Sequence, residues 1–129
     1  MSKSQPHIIL VDDNEIDLFL HEKLIKLAGI SNHVDKFLSG KAALDYLQNT
    51  TPDIILLDIQ MPEMDGFEFL SFYDRFYSDR EQETRIFMVS SSLDFGDISK
   101  AKASPLVSEF IKKPLNIVEL KEALGREGF

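Results

Sequence analysis

Five short apolar runs alternate with longer amphipathic stretches along this chain, and that alternation limits the fold more than any other feature. Ile8-Ile9-Leu10-Val11 and Ile54-Ile55-Leu56-Leu57 are continuous and rich in β-branched residues, as expected of strands buried on both faces. Ile86-Phe87-Met88-Val89 is another strand, Val107–Ile111 a final one, and His33–Phe37 a weaker strand. Ile16, Phe19, Leu20, Leu24, Leu27 and Ala28 recur at helical spacing, with Gly29 as a stop. Ser39 is placed to cap a helix carrying Ala42, Ala43, Tyr46 and Leu47, and Pro52 then breaks the chain. A third helix is expected from Gly66 to Tyr77. Asp94 caps a short one ending at Ala103, and Asn116 caps a last one with Ile117, Leu120 and Leu124 on one face. Strands alternating with helices through short connections predict an α/β domain, a parallel sheet covered on both faces. Right-handed crossovers make it doubly wound. For five strands the expected order is 2-1-3-4-5.

At 129 residues the chain is read as one domain, 1–129, with 1–6 as a short polar tail. The net charge of −8 repels nucleic acid and anionic lipid, so neither is expected as a direct partner. Cysteine is absent, which excludes disulfides, thiolate zinc sites and redox thiols. Neither a membrane span nor a secretory leader is visible, so a cytoplasmic protein is expected.

In a doubly wound sheet, ligands bind beyond the carboxyl ends of the strands, where the strand order reverses. The residues after each run therefore matter most. Asp12-Asp13 follow the first strand and Asp58 the third. Ser90-Ser91-Ser92 follow the fourth, and Lys112-Lys113-Pro114 the fifth. The expected order gathers Asp12, Asp13 and Asp58 on one rim. Two carboxylates 4 Å apart repel by roughly 4 kcal/mol at an effective dielectric near 20, so a positive group must offset them. Lys113 and a hard divalent cation are the candidates. Mg²⁺ suits carboxylates, retained waters and a phosphoryl oxygen. No histidine lies near these strand ends, which disfavours zinc there. Taken singly, an Asp after a strand is an ordinary helix cap and Lys-Lys-Pro an ordinary turn. The coincidence of acid, acid, hydroxyl and cation on one rim is what points to chemistry. His7, His21 and His33 receive no role.

With those residues in place, the chain resembles a response-regulator receiver domain, the acceptor half of two-component signalling, over about residues 6–125. The motifs are Asp12-Asp13, Asp58, Met61-Pro62, Asp65-Gly66, Ser90 and Lys113-Pro114. The resemblance implies that Asp58 accepts a phosphoryl group. It implies Mg²⁺, with Mn²⁺ as a substitute, on Asp13, Asp58 and the backbone carbonyl of Gln60, and on Asp12 through water. It implies that Lys113, the Ser90 hydroxyl and the Ser91 backbone N–H bind the phosphoryl oxygens. Ser90 and Phe110 become the switch pair, which reshapes the face of helix four, strand five and helix five. Gly66 and Pro114 become structural, with a Lys113–Pro114 bond that is often cis. Such a protein is a stoichiometric phosphoacceptor rather than an enzyme, and promotes its own phosphorylation and dephosphorylation. Its donor is a sensor histidine kinase or a histidine phosphotransfer protein, and its downstream partner is another protein. The sequence ends soon after the last helix, so a stand-alone receiver acting by docking or by onward transfer is expected.

Departures from the common pattern are local. Ser91 stands where Ala is frequent. Gln60 and Ser92 occupy positions that tune phosphoryl lifetime in the family. Ser104-Pro105 replaces a Gly-containing turn, so the output face is expected to differ there. Two other functions compete. A Mg²⁺-dependent phosphatase with an Asp nucleophile would carry a DxDx[TV] pattern on its first strand, but Asp12-Asp13-Asn14 stand there. A flavodoxin-type flavin module would cradle a phosphate in the first loop, where these carboxylates repel it. Phe67, Phe69, Phe72, Tyr73, Phe76 and Tyr77 crowd the third helix. They read as core plus a cover from the loop Ser78–Thr84, or as a partner or self-association surface.

Overall fold

The computed structural model describes residues 5–77, 84–91 and 95–129. Elements follow in strict alternation: β1 (Ile8–Val11), α1 (Glu15–Leu27), β2 (Val34–Phe37), α2 (Gly40–Leu47), β3 (Ile54–Asp58), α3 (Gly66–Tyr77), β4 (Arg85–Ser90), α4 (Phe95–Ala103), β5 (Val107–Lys112) and α5 (Ile117–Arg126). The five strands form one sheet in the order β2-β1-β3-β4-β5, and every pairing is parallel. The strand order is the one expected from the alternation.

Successive residues of a strand face opposite sides, and the core splits accordingly. Ile9, Val11, Ile55, Leu57, Ile86 and Met88 pack with residues of α2, α3 and α4. Ile8, Leu10, Ile54, Leu56, Phe87 and Val89 pack with α1 and α5. Both faces are thus dry, which explains why the central strands read as unbroken apolar runs rather than alternating ones.

Helix ends follow the local chemistry. The Asn14 side chain caps α1, accepting from the backbone N–H groups of Ile16 and Asp17. Ser39 caps α2 and Asn116 caps α5, as their positions indicated. Gly29, at φ 72°, follows the end of α1 in the left-handed conformation that glycine adopts without strain. Asp94 and Ser92 lie outside the described residues, as do residues 78–83 of the loop Ser78–Thr84 expected to cover α3.

The buried face of α1 differs from the sequence reading. Leu18, His21 and Ile25 are buried, whereas Ile16, Phe19, Leu20 and Leu27 are exposed, Leu27 by 78%. The sheet selects the stripe through Leu18 and Ile25, and the more numerous apolar residues fall on the other side. On α3, Phe69 and Tyr73 are buried, while Phe72 and Phe76 face outward with stacked rings. Gln5 and Pro6, read as part of a tail, are tied down: Asn32 N–H donates to the Gln5 side chain and the Ser31 hydroxyl to the Pro6 carbonyl. Among the described residues no helix is long and apolar enough to cross a membrane.

The first residue of α3 fixes how closely that helix meets β3. A Cβ on Gly66 would lie 2.6 Å from the Asp58 carbonyl oxygen and 3.0 Å from the Ile59 Cα. Backbone cannot retreat as a flexible side chain can. Gly66→Ala is therefore expected to lower stability by about 1–3 kcal/mol, read as a reduced urea midpoint with an unchanged slope.

Candidate functional site

The carboxyl ends of β1, β3, β4 and β5 meet on one rim, and four of the sequence-marked residues meet there with them. Asp12 follows the last residue of β1, and its N–H donates to the Phe37 carbonyl of β2. Asp58 ends β3, paired with Val89 of β4. Asp12, Asp13 and Asp58 each offer a carboxylate oxygen within 4.8 Å of the others. Asp12 and Asp58 are buried, and Asp13 is exposed. Because Asn14 caps α1, neither Asp12 nor Asp13 is consumed as the helix cap. Asp12 does accept from the Asn14 backbone N–H at 2.9 Å. Among the described residues, no hydrogen bond or ion pair satisfies the Asp13 carboxylate.

Lys113 reaches into this cluster from the end of β5. Its ammonium lies 2.7 Å from Asp12 Oδ2, 2.9 Å from Asp17 Oδ2 and 3.5 Å from Asp58 Oδ1. Burial disfavours the charged lysine, but hydrogen bonds to Asp12 and Asp17 and the charges of Asp58 and Asp12 outweigh it, so its pKa is raised. Asp58 is balanced the other way. Burial and repulsion from Asp12 push its pKa up to about 7 against the pull of Lys113. Three carboxylates thus meet one ammonium, with Asp13 beside two of them. A hard divalent cation fits this set: oxygen donors only, excess negative charge, and one exposed carboxylate without a partner among the described residues.

The remaining marked residues take the following places. Gln60 is exposed in the loop after β3, where Glu63 adopts φ 67° and the Gly66 N–H closes the loop onto the Ile59 carbonyl. Ser90 is buried at the end of β4, and Ser91 beyond it is exposed. The Ser90 carbonyl accepts from the Lys113 N–H at 2.9 Å. Phe110 of β5 pairs with Met88 and is half-buried against the core. The Lys113–Pro114 bond is cis.

Two residues at the rim escaped the sequence reading. Asp17, in the first turn of α1, is a second strong partner of Lys113. His21, one turn on, is buried behind it, and burial followed by the nearby Lys113 charge lowers its pKa. Their signal was faint: i, i+4 spacing from Asp13 through Asp17 to His21 on the helix following an acidic strand end.

Comparison with known proteins gives the same reading. The family model for the response regulator receiver domain matches residues 8–125. The chain belongs to the response regulator receiver family. The receiver is 30% identical to the probable methanogenesis regulatory protein FilR2 of Methanothrix harundinacea, over 91% of this chain and 77% of that one. It is 31% identical to hybrid signal transduction histidine kinase L of Dictyostelium discoideum, over 98% of this chain but only 8% of that much longer protein. A crystal structure of a response regulator receiver protein from Dyadobacter fermentans superposes with a TM-score of 0.82 at 40% identity, covering 92% of this chain and 94% of that one. This receiver is a phosphoacceptor switch of two-component signalling, and the phosphatase and flavodoxin alternatives find no support.

The raised Asp58 pKa has a measurable consequence. The native state holds that proton more tightly than the unfolded chain does. Ionising Asp58 between about pH 4 and pH 7 therefore favours unfolding. In chelator, the stability of Asp58→Asn relative to wild type should increase as pH rises through that window, and excess Mg²⁺ should shrink the difference. Urea midpoints of both proteins across the pH range measure it, and a pH-independent difference would contradict the assignment.

Proposed function

We propose that Asp58 is the phosphoacceptor and that residues 1–129 form a single receiver domain, working in the cytoplasm, whose donor is a phosphohistidine on a sensor kinase or phosphotransfer protein. The observation that carries this reading is the buried Asp58 carboxylate held 3.5 Å from the Lys113 ammonium, within the same cluster as Asp12 and Asp13. The hybrid kinases among its relatives support the choice of donor class.

In this reading an ionised Asp58 oxygen attacks phosphorus. The new P–O bond forms as the P–N bond to the donor imidazole breaks, and the imidazole leaves with its electron pair and takes up a proton. Asp13, Asp58 and the Gln60 carbonyl would hold Mg²⁺, with Asp12 acting through water. When bound, that ion screens the acceptor carboxylate from the anionic phosphoryl group. Lys113 supplies the second positive charge. The Ser90 hydroxyl and the Ser91 N–H donate to equatorial oxygens, where charge develops. Receivers of this kind promote their own phosphorylation and dephosphorylation through these same groups.

The output follows from the small Ser90 hydroxyl. Drawn toward the phosphoryl group, it vacates space beside β5, and Phe110 rotates inward. The surface of α4, β5 and α5 then changes, a two-state element biased by a local charge event.

Asp58→Asn is expected to abolish labelling by acetyl phosphate, read by intact mass; labelling at wild-type level would sink the assignment. Ser90→Ala should still be phosphorylated yet show none of the wild-type chemical-shift changes on α5 when beryllofluoride, a mimic of the acyl phosphate, is added. Wild-type shifts in that variant would remove Ser90 from the switch.

A further inference from the structure

The opposite end of the sheet carries a second cluster with a different donor chemistry. His7 immediately precedes β1, His33 immediately precedes β2, and Asp35 lies on β2. Their ligand atoms fall within 4.8 Å of one another. Both imidazole Nε2 atoms approach the same carboxylate oxygen, Asp35 Oδ2, His7 at 2.8 Å and His33 at 3.9 Å. The two rings lie parallel, with centroids 3.7 Å apart.

The backbone around the cluster is fixed. The His7 N–H donates to the Asp53 carboxylate at 2.8 Å, and the His7 carbonyl accepts from the Asp53 and Ile54 N–H groups. The His33 carbonyl accepts from Ile8 N–H, and the His33 N–H donates to the Ser31 hydroxyl. Tyr46, from α2, donates its hydroxyl proton to Asp35 Oδ2 at 3.0 Å. A second-layer hydrogen bond of that kind holds a carboxylate ligand in orientation. Burial raises the Asp35 pKa, but the hydrogen bonds from His7 and Tyr46 outweigh it and hold the pKa below its ordinary value. Asp35 is thus anionic and preoriented. Burial differs usefully across the set: His7 is nearly enclosed, while the His33 side chain is 62% exposed and free to adjust.

We propose that His7, His33 and Asp35 form a binding site for a borderline divalent transition metal such as Zn²⁺. Two imidazoles and one carboxylate are the donor set such ions prefer, and Mg²⁺ does not favour it. The metal would take the place of the His7 Nε2–H bond to Asp35 and of the 3.3 Å contact between His7 Nε2 and the Tyr46 hydroxyl: each neutral imidazole then carries its proton on Nδ1 and donates the Nε2 lone pair, and Asp35 donates one oxygen. Coordination at about 2.0–2.2 Å requires the His33 ring to swing inward and tilt away from the stack. The exposed side leaves room for a water as the fourth ligand. Asp53 immediately precedes β3 and Asp58 ends it, so the site lies roughly 16 Å from the phosphoacceptor pocket. It ties the start of the central strand β1 to the edge strand β2, and Tyr46 links α2 to the same point.

The test is titration of the full chain with ZnCl2 by calorimetry in excess Mg²⁺, with thermal unfolding and histidine-ring NMR on the same samples. Wild type is expected to bind one Zn²⁺ that Mg²⁺ does not displace, to melt at a higher temperature with it, and to shift the ring signals of His7 and His33 but not those of His21. His33→Ala, at an exposed side chain that the fold does not need, should weaken that binding by about tenfold or more and lose the thermal shift. His7→Gln should do the same. Zn²⁺ affinity unchanged in His33→Ala, binding that excess Mg²⁺ removes, or ring shifts confined to His21 would each overturn the proposal.

Discussion

One ammonium group holds the rim of this receiver together. Lys113 contacts Asp12, Asp17 and Asp58, which arrive from β1, α1 and β3. Without it those carboxylates would meet in a partly dry pocket and repel. With it they still carry excess negative charge, and that imbalance is recorded in Asp58, whose pKa is pushed to about 7. The pocket is therefore folded yet electrostatically incomplete. A site that must attract a cation and then an anionic group needs that condition: full neutralisation by side chains would leave nothing for either to gain.

The sheet makes this arrangement possible. Parallel strands put all their carboxyl ends on one side, and the order β2-β1-β3-β4-β5 sets β1 beside β3. Asp12 and Asp58, far apart in sequence, thereby become neighbours. The core supports the geometry from both faces, with α1 and α5 on one and α2, α3 and α4 on the other. Gly66 lets α3 begin against the Asp58 carbonyl, so the loop carrying Gln60 turns back within a few residues.

Strand order and the rim residues were legible because each depends on local pattern plus one topological rule. Continuous apolar runs identify buried strands, and residues just beyond them fall at the sheet edge. The caps Ser39 and Asn116 were legible for the same reason, since a cap bonds within its own first turn. The buried face of α1 was not. Its apolar residues occupy more than one stripe, and only the sheet selects Leu18 and Ile25 over Phe19 and Leu27. Asp17 was missed because its partner lies 96 residues away, and in sequence it looks like any acid in a first turn. The histidines escaped for a related reason: His7 and His33 stack only because β1 and β2 pair in the register Ile8 with Val34.

The backbone hydrogen bond from Lys113 to the Ser90 carbonyl has a mechanical meaning. The segments bearing the hydroxyl and the ammonium share a rung, so the two cannot drift apart independently. Parting them would expose a main-chain donor and acceptor in a buried place, at roughly 1–3 kcal/mol for each group left unsatisfied. Rearrangement on this side of the rim is thus steered toward motions in which both segments travel as one unit.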